Sequence, residues 1–137
     1  MASYKELKVW KKAIDLTVKI YQLCKYLPKE ETYCLSDQMR RSAVSIASNI
    51  AEGQARNSTK DFIRFLYIAQ GSRAELETQL EICKKLNFFP ENEINITENL
   101  SSETGRMIRN LIRKLQHDLT AQTSSHQLPT TNYQPND

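Results

Sequence analysis

Two apolar stripes run side by side between Tyr4 and Leu27, one through Leu7, Trp10, Ile14, Thr17, Tyr21 and Cys24, the other through Val9, Ala13, Leu16, Ile20, Leu23 and Leu27. Both advance by threes and fours, which predicts a helix. A helix packed on one side needs about one stripe, so two predict a wide apolar face that meets two neighbours, or one neighbour and another subunit. Lys8, Lys12, Asp15, Lys19 and Gln22 mark the wet face. Pro28 stops this helix, and the short connector through Cys34 favours an antiparallel return.

The second pattern places Leu35, Met39, Ala43, Ile46 and Ile50 inward and predicts a helix from Leu35 to Glu52, with Gly53 as a left-handed C-terminal cap. Its small residues, Ser42, Ser45, Ala47, Ser48 and Ala51, leave room for another backbone. Ser58, followed at the third position by Asp61, reads as a capping box opening the third helix. Phe62, Phe65, Leu66, Ala69, Ser72, Leu76, Leu80, Cys83 and Leu86 carry that helix to Asn87, and Gly71 in its middle predicts a close approach of another element. After the turn at Phe88-Phe89-Pro90, a fourth helix is predicted from Asn92 or Glu93 to Leu119, with a stripe that is weak at its start. The residues after Thr120 are rich in Gln, Ser, Thr, Asn and Pro, so 121–137 is expected to be a disordered polar tail. Residues 1–120 thus predict one all-α domain, an antiparallel up-down-up-down four-helix bundle.

An antiparallel pair whose turn centres near residue 58 sets level those residues whose numbers sum to about 116. Arg41 then faces Glu75, Ser45 faces Gly71, Asn49 faces Tyr67 and Glu52 faces Arg64. The expectation is two interhelical ion pairs, Arg41–Glu75 and Glu52–Arg64, with the backbones closest at Gly71.

Composition adds little to the fold but narrows the chemistry. Only 3 Gly and 4 Pro occur in 137 residues, as an all-α chain requires. No apolar run reaches the roughly 18 residues of a membrane span, and no cleavable apolar segment follows Met1, so a cytoplasmic protein is expected. Cys24, Cys34 and Cys83 lack C-x-x-C spacing and are odd in number, which points to reduced, buried thiols instead of disulfides or a zinc site.

Catalytic signals are poor. His117 is preceded at metal-ligand spacing by Lys114, not Glu, and His126 falls in the tail; Glu77 and Glu81 read as a solvated face. Gly-rich phosphate loops and nucleophile elbows are absent. No enzyme, metal or cofactor is expected.

Charge is uneven along the chain: residues 1–60 hold eleven Lys/Arg against six Asp/Glu, and residues 61–120 hold eight against nine. Lys8, Lys11, Lys12, Arg40, Arg56 and Lys60 are the candidates for binding the phosphates of RNA or DNA, backbone-directed and without base specificity. The alternative is a protein-interaction scaffold on which the lysines serve solubility.

Three blocks together carry a family resemblance: Leu7-x-Val9-Trp10-x-x-Ala13, then Gln38-x-x-Arg41-Ser42-x-x-Ser45-Ile46-x-x-Asn49-Ile50-Ala51-Glu52-Gly53, then Phe62-x-x-Phe65-Leu66-x-x-Ala69-x-Gly71-Ser72-x-x-Glu75. In them the chain resembles the bacterial 23S rRNA-intervening sequence proteins over residues 4–119. More remotely it is similar to the accessory bundle proteins of diversity-generating retroelements, which are pentameric and bind nucleic acid. The resemblance implies a four-helix bundle that assembles as a ring-like homo-oligomer, a pentamer.

Overall fold

The computed structural model describes residues 3–127. Four helices follow one another: α1 (Lys8–Leu23), α2 (Leu35–Ala55), α3 (Thr59–Lys85) and α4 (Glu91–Gln127). Single 3-10 turns at Tyr4–Glu6 and Cys24–Tyr26 extend α1 at both ends, so the ordered segment matches the predicted span. Each helix packs on its sequence neighbours, and α1 closes the ring against α4. This is the predicted antiparallel four-helix bundle.

Local chemistry sets the boundaries. Ser58 Oγ accepts from Asp61 N at 3.1 Å, which satisfies one orphan donor of the first turn of α3. At the other end Asn87 takes φ 57°, Phe88 N donates to Cys83 O (3.0 Å) and Asn87 N donates to Lys84 O (3.1 Å). That pairing is a Schellman motif with Asn in the left-handed position. α4 runs on to Gln127, beyond the end predicted near Leu119, because no Gly or Pro interrupts the chain before Pro129. Residues 121–127 of the predicted tail are therefore helical, and 128–137 lie outside the described residues.

One stripe of α1 is core: Val9, Ala13, Leu16, Ile20 and Leu23 are buried. They meet Met39, Ala43, Ile46 and Ile50 of α2, Leu66, Ala69, Leu76 and Leu80 of α3, and Ile108 and Ile112 of α4. The other stripe is covered at its ends, where Leu7 and Trp10 pack against the core and Cys24 is buried, and open in its middle. Ile14 is 37 % and Tyr21 48 % exposed, and beside them Val18 of α1 and Val44 of α2 are 52 % and 42 % exposed. Around the Thr17 hydroxyl, which donates to Ala43 O at 3.2 Å, α1 and α2 therefore share an uncovered apolar seam.

The weakly apolar start of α4 is docked by polar and small groups. Thr97, Ser101 and Thr104 are fully buried, and the two threonine hydroxyls donate to their own helix at Glu93 O (2.8 Å) and Leu100 O (2.7 Å). Such back-bonding removes the cost of burying an unpaired hydroxyl. Lys19 pairs with Glu93, and Lys84 reaches Glu98 at 3.3 Å.

The α2–α3 register differs from the prediction by one residue. Ser45 Oγ bonds Ser72 Oγ at 2.7 Å, so the paired numbers sum to 117 and Gly71 is turned out to solvent. One residue is 100° of helix rotation, enough to part the predicted ion pairs. Arg41 pairs with Asp37 (3.2 Å) instead of Glu75, Glu52 with Arg56 (2.8 Å), and Arg64 with Asp61 (3.8 Å). Partners one turn away in the same helix are already in reach and cost less side-chain ordering.

The close approach falls at Gly53. It lies inside α2, buried and without positive φ, so it is not the predicted left-handed cap. A Cβ there would sit 2.8 Å from Phe65 Cβ and 2.9 Å from Phe62 Cδ1, whereas one at Gly71 would meet nothing. The two glycines should therefore respond oppositely to alanine. Gly71→Ala is expected to stabilise by about 1 kcal/mol through helix propensity. Gly53→Ala gains the same amount but overpacks at a cost of roughly 1–3 kcal/mol, a net loss of about 1 kcal/mol. Urea midpoints of the two variants decide the matter: a rise in both would show that Gly53 is not a packing constraint.

Candidate functional site

Antiparallel topology brings the start of α1, the end of α2, the start of α3 and the second half of α4 to one end of the bundle. The cross-links Thr17–Ala43, Lys12–Glu103 (3.2 Å) and Gln70–Gly105 (3.0 Å) fix that alignment. In chain terms the end comprises residues 3–12, 49–64 and 106–118, with eleven Lys/Arg against four Asp/Glu. The rest of the helical body, residues 13–48 and 65–105, carries eight against eleven. The molecule is thus strongly basic at one end and weakly acidic over the other.

Five of the six candidate cations belong to this end. Lys8, Lys11 and Lys60 are exposed. Lys12 is half-buried and held by Glu103 of α4, which leaves it a mainly structural role. Arg56 caps α2, pairs with Glu52 and places its guanidinium 4.9 Å from the Phe65 ring centroid, with Arg64 at 4.6 Å from the same ring. Arg40 lies near the opposite end of α2, where it donates to Ser36 Oγ (2.7 Å) and sits 5.6 Å from the Tyr21 ring centroid. It is separated from the other five because α2 runs antiparallel to α1.

Sequence reasoning missed the cations of α4. Residues 106–117 contain Arg106, Arg109, Arg113 and Lys114 and no acid, while 91–105 contain Glu91, Glu93, Glu98 and Glu103 and no base. Averaged over sixty residues the two blocks cancel; a window of one or two helical turns would have separated them.

Beside these cations, α3 and α4 leave a groove of about 430 Å³ lined by Tyr67, Gln70, Arg73, Arg109, Arg113 and Gln116, among others. Its floor is fixed. The Arg73 side chain is only 13 % exposed; its Nε donates to Gln70 Oε1 (2.9 Å), and its Nη1 donates to Glu77 and to Ser101 O (3.3 Å). Gln70 Nε2 in turn donates to Gly105 O at 3.0 Å. Gly105 makes the space, since a Cβ there would lie 2.4 Å from the Arg73 guanidinium.

Farther along the same seam is a second groove, of about 420 Å³, lined by Glu77, Glu81, Glu98, Ser101 and Ser102, among others. Glu77 is tied to Arg73, and Glu81 lies 4.0 Å from Lys85. Among the described residues, no group of three or more His, Cys, Asp or Glu is placed to hold a metal ion, and no helix is long and apolar enough to cross a membrane. His117 is exposed on α4.

All three cysteines are free. Cys24 and Cys83 are buried, and Cys34, expected inside, is exposed because it falls in the connector before α2. Burial pushes the Cys24 thiol up, and pushes Cys83 up to about 12 with help from the nearby Cys24 and Glu31.

The fold recurs in the crystal structure of a protein of unknown function from the S23 ribosomal protein family of Bacteroides thetaiotaomicron. That structure matches with a TM-score of 0.70 and 30% identity over 76% of this chain and 97% of the other. No curated protein matches the chain. Residues 5–110 match the family described as 23S rRNA-intervening sequence protein. On that match, which spans α1 to α3 and the first half of α4, the chain is a four-helix bundle belonging to the 23S rRNA-intervening sequence protein family.

Proposed function

We propose that the protein is a homo-oligomer, a pentamer as the family resemblance implies, that binds RNA or DNA through backbone phosphates at its basic end. The observation that carries the nucleic-acid reading is the gathering of eleven Lys/Arg against four Asp/Glu at that end, from segments distant in sequence. Lys8, Lys11, Arg56 and Lys60 supply the contacts, joined by Arg109 and Arg113. Lys12 serves through its pair with Glu103, and Arg40 is peripheral. Assembly is supported by the uncovered seam of Ile14, Val18, Tyr21 and Val44, an apolar surface that a monomer would leave in water. Free thiols fit a reducing cytoplasm.

The test joins binding to size. The Lys8→Glu, Lys60→Glu double variant should lose about tenfold or more in affinity for a labelled RNA, because two phosphate contacts become repulsions. Arg40→Ala should bind as the parent does. Sedimentation of the parent should give an oligomer that Val18→Glu dissociates. Unchanged binding in the double variant would remove the basic end from the reading. Capture of a protein partner with no affinity for nucleic acid would replace it by an interaction scaffold.

A further inference from the structure

Resting on the nucleic-acid reading above, we propose that the α3–α4 groove binds single-stranded nucleic acid. An unpaired base stacks on Tyr67, and the flanking phosphates are held by Arg109 and Arg113.

Tyr67 of α3 is 55 % exposed. Its hydroxyl accepts from Gln116 Nε2 at 3.4 Å, which places the ring beside α4. An oriented, half-uncovered ring beside cations is the arrangement that sequence-tolerant single-strand binding uses, since every base offers a π face.

The cations are available. Arg109 is exposed and has no ion-pair partner among the described residues. Arg113 donates to a neutral amide, Asn110 Oδ1, at 3.1 Å. Separated by four residues, the two lie on one side of α4, about 6 Å apart along the axis. No carboxylate lines this groove. The acidic groove farther along the same seam, with Glu77, Glu81 and Glu98, repels a strand from that direction and leaves the basic end as its route.

A duplex does not fit this chemistry. Its base faces are stacked on one another and closed to a side chain, whereas the bases of a single strand can be splayed out onto an aromatic ring. Arg73 gives the groove a fixed floor, because its guanidinium is already committed to Gln70, Glu77 and Ser101.

The experiment measures fluorescence polarisation of labelled decauridylate, of the same strand annealed to its complement, and of an abasic oligomer of equal charge, all with the full chain. The single strand should bind more tightly than the duplex or the abasic oligomer. Tyr67→Ala should weaken single-strand binding about tenfold without changing its salt dependence. Tyr67→Phe, which keeps the ring and loses the hydroxyl, should remain within about twofold of the parent. Arg109→Ala should weaken binding and lower the salt slope by about 0.7.

An unchanged thermal midpoint in Tyr67→Ala, expected for a side chain this exposed, separates recognition from folding. If Tyr67→Ala binds like the parent, or if duplex and single strand bind alike, the groove is not a base site. The basic end would still stand, provided that the Lys8→Glu, Lys60→Glu variant is weakened. If none of the three oligomers binds, both readings fall.

Discussion

RNA affinity is expected to fall about 300-fold when salt rises from 50 to 200 mM. Each neutralised phosphate of a single strand contributes about −0.7 to the slope of log affinity against log salt, and six contacts over a fourfold change give that factor. The six are Lys8, Lys11, Arg56, Lys60, Arg109 and Arg113. Lys12 is left out because Glu103 holds it in a partly shielded pair, and Arg40 because it stands at the other end of the bundle. Arg56 is counted despite its pair with Glu52: both side chains are about half exposed, and such a pair yields readily to a phosphate. A titration at several salt concentrations reads the slope directly. A slope near zero would mean that the basic end does not meet the backbone.

Alkaline pH should destabilise the protein through its buried thiols. The Cys83 thiol is fully buried, and loss of hydration holds its pKa at about 12 in the folded chain, against about 9 when exposed to water. The sign follows from proton counting. Between those values the unfolded chain has lost the proton and the folded chain keeps it, so stability is whole below pH 9 and drains as pH rises toward 12. The slope is about 1.4 kcal/mol per pH unit. Between pH 9 and 10.5 the loss from Cys83 alone is about 2 kcal/mol, and Cys24 adds to it in the same direction.

The comparison is with Cys83→Ala, which shares every other ionisable group, measured in urea at pH 8 and pH 10.5 with a reductant present. The parent should lose more than the variant by about 2 kcal/mol. Parallel losses would show that Cys83 can ionise in place. The packing explains why it should not. Its sulfur lies 3.7 Å from Met39 Sδ, which has no proton to donate to a thiolate.

The fold was legible because it rests on features that sequence spacing expresses directly. Stripes at threes and fours, Pro28, the Ser58 cap and the turn before Pro90 define four helices, and short links leave them only an antiparallel arrangement. What spacing does not express is rotation about the helix axis to better than one residue. Ser45 meets Ser72 and not Gly71, and that single step undid both predicted ion pairs and moved the tight glycine contact to Gly53. The local pairs that form, Asp37–Arg41 and Glu52–Arg56, stand four residues apart and were readable from the chain. The basic end was half legible. Its α1, α2 and α3 members were found from local charge, but Arg109 and Arg113 belong to a helix whose two halves have opposite charge.

That opposition in charge acts before any contact is made. On the proposed nucleic-acid reading, a body with a basic pole and a faintly acidic remainder would be turned by the field of a polyanion while still diffusing, so that collisions would begin with the basic end forward. Copies arranged side by side in the same sense would add their fields, and the rate of capture would then rise with assembly even if no single grip became tighter.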